Sequence, residues 1–238
     1  MQDKNTLTHM EWDGCKSINS NMIMLYDQIF RALRFIKKKF HPQQTDEENL
    51  RRKQQEDYDY LRSCGVETEL GYVTLLGKPI IKKAPNSTIK IGKDVLLISD
   101  SKYNSAGINH PVILATEKEG AEIILGDGSG FSGTSIVAFS SVRIGNRSGC
   151  GVNCNIWDSD FHSIESNKRG VDASPETAPT APIVIGEDVW MGANVTVLKG
   201  VHIGDRAVIG SMSLVNKNVE SDTISAGVPA KIIKDNRL

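Results

Sequence analysis

No apolar run in the 238-residue chain approaches the ~20 residues that a membrane-spanning helix needs. The opening Met1-Gln2-Asp3-Lys4-Asn5 lacks the basic-then-apolar order of a secretion signal. Both absences predict a cytoplasmic protein. Cysteine is scarce: Cys15, Cys64, Cys150 and Cys154 are too few and too scattered for a disulfide framework, which fits a reducing compartment. Net charge is nearly absent too. Twenty-eight Lys and Arg stand against 29 Asp and Glu, so the whole-chain field offers nucleic acid no attraction. The glycine cluster Gly126-Asp127-Gly128-Ser129-Gly130 lacks the following Lys and helix of a phosphate-binding loop.

What is present divides the chain in two. Residues 1–65 are rich in Lys, Arg, Gln and Glu and almost free of Gly, whereas residues 66–238 are full of Gly, Val and Ile in short runs. The first part reads as a helical extension. Met22, Leu25, Tyr26, Ile29, Phe30, Leu33, Ile36 and Phe40 fall on one helical face over residues 21–40. Thr45-Asp46-Glu47-Glu48 supplies a capping-box start for a second helix that ends near Gly65. The basic residues Arg31, Arg34, Lys37, Lys38 and Lys39 leave two readings of the first helix: weak contact with an anionic membrane surface, at the inner face of the membrane, or packing of its apolar side.

The second part repeats every six residues. Ile185, Met191, Val197, Ile203, Ile209 and Val215 are all aliphatic. Gly follows in four of the six hexads (Gly186, Gly192, Gly204, Gly210), and the fifth position is always small or β-branched: Val189, Val195, Val201, Ala207, Ser213 and Val219. The same frame holds upstream at Ile144, Cys150 and Ile156, which turns Cys150 and Cys154 inward. Farther upstream it slips by one (Leu125, Phe131, Val137, then Ile144). A six-residue step suits neither a helix nor a hairpin meander. It suits a mainly β chain that lays down a short strand, turns and repeats, three strands per coil, with Gly supplying the backbone conformations of the turns. Two excursions leave this pattern, Ser99 to Pro111 and the larger loop 157–182, and loops on a rigid scaffold are where function concentrates.

The run from Ile183 to Asn194, continuing to Gly227-Val228-Pro229-Ala230-Lys231, resembles the hexapeptide acyltransferases, the group that contains galactoside, maltose and serine acetyltransferases. Within that group Asp158-Ser159-Asp160-Phe161-His162 is most similar to a segment of enzymes that acetylate sugars of bacterial surface polysaccharides. The resemblance covers roughly residues 70 to 234. It implies a left-handed parallel β-helix (residues 66–238, with a tail at 226–238), a homotrimer, and an O-acetyltransferase moving acetyl from acetyl-CoA to a sugar hydroxyl. A sugar N-acetyltransferase and a non-catalytic trimeric scaffold are the alternatives on the same fold.

Acetyl transfer to a hydroxyl needs a base as the oxygen attacks the thioester, and imidazole has the right pKa near neutrality. The resemblance makes His162 that base. Asp158 and Asp160 lie four and two residues earlier, so an extended segment turns all three side chains one way and either carboxylate can orient the ring; proximity favours Asp160. For the coenzyme, the resemblance points to Trp190 on the groove between subunits and to Gly192, with the backbone N–H of Ala193 as the oxyanion donor. It also points to the stretch containing Ser211, and to Lys217 and Lys231 as phosphate partners. Met212 and Asn216 depart from the Gly and Thr that relatives often carry there. His110, before Pro111, is given a turn or acceptor-lining role, and His202 an outward strand position. A carbonic anhydrase on the same prism needs three histidines converging on zinc, and five scattered histidines argue against it, so no metal is expected.

Overall fold

The computed structural model describes residues 44–169 and 178–236. The helix expected over residues 21–40 and the middle of the 157–182 loop lie outside the described residues. The chain divides into two compact units, Arg51–Arg237 and Met1–Leu50 with Leu238. Of the second unit, only Gln44–Leu50, the first turns of a helix, is described. No helix among the described residues is long and apolar enough to cross a membrane.

Helix α1 (Gln44–Ser63) stops where Gly65 takes a φ of +77°, a left-handed position that favours glycine. The chain then winds as stacked coils. The first is β1 (Val73–Leu76), β2 (Ile80–Lys83) and β3 (Thr88–Ile91). The second is β4 (Val95–Ile98), β5 (Ile113–Thr116) and β6 (Glu122–Leu125), and the third β7 (Gly130–Ser132), β8 (Ser135–Ala138) and β9 (Ser141–Ile144). The fourth is β10 (Gly149–Val152), β11 (Asn155–Trp157) and β12 (Ile183–Ile185), and the fifth β13 (Trp190–Met191), β14 (Thr196–Leu198) and β15 (His202–Ile203). Strands β16 (Val208–Ile209), β17 (Leu214–Val215), β18 (Thr223–Ala226) and β19 (Lys231–Asp235) finish the stack.

Strands three apart pair in parallel as far as β17, and β18 (parallel to β16) and β19 extend the first sheet, giving three sheets of eight, six and five strands that form the three faces of a left-handed β-helix. They are termed faces 1, 2 and 3, beginning with β1, β2 and β3 respectively. The six-residue step puts one inward side chain on each face in turn. Ile185, Met191, Val197, Ile203, Ile209 and Val215 are all buried, as are Val189, Val195, Val201, Ala207, Ser213 and Val219. Cys150 and Cys154 point inward with them.

The register slip lies earlier than the sequence frame places it. Ile136, not Val137, is the inward residue of β8, paired with Leu114 below and Ile156 above. Val137 joins a separate apolar cluster with Ala115 and Phe139, against which Ile113, Trp157 and Phe161 pack. Two adjacent aliphatic residues look alike in a hydrophobicity pattern, so the pairing had to choose between them.

The repeat glycines also serve a different purpose from the one expected. Left-handed turn positions are filled by Asp94, Arg147, Asp188, Arg206 and Asp222 on one corner and by Asn153, Asn194 and Met212 on another, and Gly145, Gly186 and Gly204 are not among them. Those glycines are required because coils touch there: a Cβ on Gly145 would stand 2.5 Å from the carbonyl oxygen of Gly186 in the next coil. Gly145→Ala is therefore expected to destabilise by about 1–3 kcal/mol through overpacking. Gly130→Ala, whose Cβ meets nothing within 4 Å, serves as the control. Equal thermal midpoints for the two variants would refute this account.

The lower mouth of the prism is closed by the last turns of α1, around Asp57 to Leu61. Leu61 is fully buried in the main core, Tyr60 Oη donates to Pro79 O at 2.6 Å, and Leu75 N donates to Asp57 Oδ2. At the other end β19 runs antiparallel to β18. Both devices cover what would otherwise be a bare strand edge.

Candidate active site

Face 2 has two edges. Strands enter it at the corner with face 1, where Gly133, Asn153, Asn194 and Met212 stack with positive φ, and leave at the corner with face 3, where Asp158 and Lys199 follow β11 and β14.

At the second edge the chain departs into the large excursion. The outgoing limb Asp158–Asp160 and the returning limb Pro179–Ala181 pair antiparallel: Ser159 bridges Thr180, Asp160 N donates to Pro179 O at 3.1 Å and Ala181 N to Asp158 O at 2.9 Å. Gly200 N donates to Ala181 O at 2.9 Å and ties this stem to the next coil. The three side chains expected on one face are separated by this geometry. Asp158 is fully buried, and its carboxylate accepts the backbone N–H groups of Phe139, Ser140 and Ser141, each at 2.7 Å. Burial pushes that carboxyl above its ordinary range, with the three donors pulling against it. Asp158 thus staples the corner between β8 and β9, one coil below.

Asp160 does not meet the imidazole either. Its two carboxylate oxygens accept from Lys199 Nζ at 2.6 and 2.7 Å. Phe161 then reverses the chain with a φ of +62°. Its ring sits edge-on to Phe139 and Trp157, both centroids at 5.5 Å. His162 follows, exposed, its N–H donating to Asp160 O at 2.7 Å and its ring hydrogen-bonded to no described residue. A tied backbone carrying an exposed imidazole suits a proton acceptor.

The expected coenzyme residues are divided between the edges. Gly192 and Ala193 form the first edge, and a Cβ on Gly192 would strike the Ser211 backbone of the next coil at 2.6 Å, so Ser211 lies directly above them. Ala193 is half-buried, and its N–H donates to no described backbone or side-chain group. Trp190 is half-buried in β13 and Lys231 exposed in β19, both on face 1. Lys217, exposed, follows β17 and so stands at the opposite edge, the one that carries His162. Crossing face 2 from Asn194 to Lys199 takes five residues, about 16 Å at about 3.3 Å each. One chain therefore does not bring His162 and the Ala193 N–H together.

The shorter excursion makes an open pocket of about 410 Å³ at the first edge, lined by residues that include Lys78, Asp100, Asn109 and His110. Asn153 clamps it, accepting from Asn109 N at 2.9 Å and donating to Gly107 O at 3.2 Å. His110 Nδ1 lies 2.8 Å from Pro111 O; a carbonyl only accepts, so Nδ1 carries the hydrogen of this contact. His202 is an outward residue of β15, as expected. Sequence reasoning missed Lys199, since 39 residues separate it from Asp160 and no spacing rule connects them.

The description "Bacterial transferase hexapeptide (six repeats)" matches residues 182–217. A putative lipopolysaccharide biosynthesis O-acetyl transferase of Escherichia coli K12 is 42% identical over 73 residues, 31% of this chain and 37% of that protein. The galactoside O-acetyltransferase of the same strain is 44% identical over 54 residues, 23% and 27% of the two chains. The matches thus span between about a quarter and two fifths of the relatives' own lengths. Among solved structures, the polySia specific acetyltransferase NeuO superposes with a TM-score of 0.50 at 26% identity, over 69% of this chain and 67% of that one.

Proposed function

We propose that this chain, a member of the hexapeptide-repeat transferases of bacteria, moves an acetyl group from acetyl-CoA to a hydroxyl of a saccharide, with His162 as general base. The observation that carries the reading is the exposed imidazole of His162 beside the anchored stem, at the opposite edge of face 2 from the N–H of Ala193, neither of them hydrogen-bonded to any described residue. Named relatives that acetylate oxygen, one of them a galactoside O-acetyltransferase, point to the same chemistry.

Two copies complete the site when the His162 edge of one meets the Ala193 edge of the next, and three repetitions close a homotrimer. In that groove the acceptor oxygen attacks the thioester carbonyl while His162 takes its proton. The Ala193 N–H of the neighbouring copy donates to the oxyanion as it forms. Collapse expels the thiolate, which recovers the proton from the imidazolium. No acyl-enzyme is needed because thioester and acceptor share one groove.

Trp190, Gly192 and Ser211 line the path of the pantetheine arm, and Lys231 of one copy and Lys217 of the next reach its phosphates. The His110 pocket lies on the Ala193 edge, three strand steps below β14 or about 14 Å at about 4.8 Å each, and lines the acceptor. Residues 1–65 are the appendage of this transferase domain, which works in the cytoplasm where acetyl-CoA is made.

Calorimetric titration with coenzyme A tests the reading at its base. A dissociation constant between about 1 μM and 1 mM is expected, the range usual for enzyme substrates, and a scaffold would bind none. A panel of nucleotide sugars and surface oligosaccharides supplied with acetyl-CoA then identifies the acceptor. Acetylation of amino sugars alone would move the assignment to N-transfer.

A further inference from the structure

Resting on the assignment of His162 as base, we infer that Lys199 is the positioning residue of the site, acting through Asp160 rather than on the substrate. Asp160 is the last residue of the paired stem before the chain turns into His162, and both its oxygens are held by one ammonium group at 2.6 and 2.7 Å. The two side chains are about 30% exposed, so water screens the pair only in part. Lys199 itself is anchored: it directly follows β14 and precedes Gly200, whose N–H is tied to Ala181 O.

Two anchors thus flank the base. On one side the Lys199–Asp160 pair fixes the carbonyl that accepts the His162 N–H; on the other the Phe161 ring is wedged against Phe139 and Trp157. Neither anchor takes a hydrogen bond from the imidazole, so neither occupies a ring nitrogen. Asp160 so held is a positioning residue, and the orientation of His162 comes from its backbone. This division suits a base at a subunit boundary, where the ring must face a partner and only its own chain can aim it.

The test uses the full chain in five versions: Lys199→Met, Lys199→Arg, Asp160→Asn, the reversed pair Asp160→Lys with Lys199→Asp, and His162→Ala. Each is followed by kcat with a saccharide acceptor from the panel, by coenzyme A affinity, by thermal midpoint, and by amide hydrogen exchange over residues 158–164. Lys199→Met and Asp160→Asn are expected to lower kcat by about 10–10²-fold, the cost of a misplaced reacting group, with coenzyme A affinity unchanged. Exchange at Phe161 and His162 should quicken by about tenfold. Lys199→Arg and the reversed pair should restore most of both.

Wild-type kcat and wild-type exchange in Lys199→Met and Asp160→Asn would overturn the inference. A loss explained wholly by weaker coenzyme A binding or a lower midpoint would do so as well. Full activity in His162→Ala would instead remove the base assignment, and the exchange measurement would still decide whether Lys199 orders the segment.

Discussion

His162→Ala is expected to lower kcat by about 10²–10⁴-fold, the contribution usual for a general base, while leaving coenzyme A affinity within about twofold of the parent. The size of the loss follows from the chemistry. A sugar hydroxyl is a poor nucleophile until its proton is removed. Affinity should survive because the imidazole is exposed and hydrogen-bonded to no described residue, so its removal breaks no described hydrogen bond of the fold. His110→Ala is the contrast: it lines the pocket at the other edge, so its effect should fall on the KM of the acceptor. Undiminished turnover in His162→Ala would end the base assignment. A collapse of both kcat and affinity would show that the loop shapes the coenzyme site instead.

Asp158→Ala is expected to be the most damaging exchange to stability, at about 3 kcal/mol or more, because it strands the N–H groups of Phe139, Ser140 and Ser141 at a buried corner. For a domain of this size that corresponds to a fall of about 6–12 °C in thermal midpoint. Asp158→Asn should not rescue it. An amide offers one acceptor oxygen and turns its own NH₂ toward an N–H donor, so at least one of the three contacts becomes a clash of like dipoles. Differential scanning calorimetry of both variants checks this. A midpoint within 2 °C of the parent for either would mean that water takes over the corner and that Asp158 is dispensable for folding. The same residue was a candidate for orienting His162, and a destabilised protein that retains kcat at low temperature would separate the two roles.

Much of the prism could be read from the chain. A strict six-residue recurrence of aliphatic residues admits few architectures, and Ile185 to Val215 are all buried in the order the step dictates. The second helix was legible from its end near Gly65, but it begins at Gln44, so Thr45 of the expected capping box lies within it. The slip at Ile136 was not, since Val137 beside it is as apolar and finds its own cover under Phe161. The repeat glycines were located but their physical reason was not, because contact between successive coils is a distance in space that no local pattern records.

The site divides along the same line. By itself the sequence determined the repeat, the interior it fills and the two excursions that break it, because each depends on residues a few positions apart. It also singled out His162, by resemblance. Only the tertiary structure decided what the two carboxylates before it do: Asp158 closes a corner 17–19 residues away and Asp160 takes a lysine 39 residues away. The physical reason is that stacking coils brings groups together according to the rung they occupy, and ionic and hydrogen-bonding partners are chosen by that proximity, whereas hydrophobic periodicity is sensitive only to which side of the wall a residue faces.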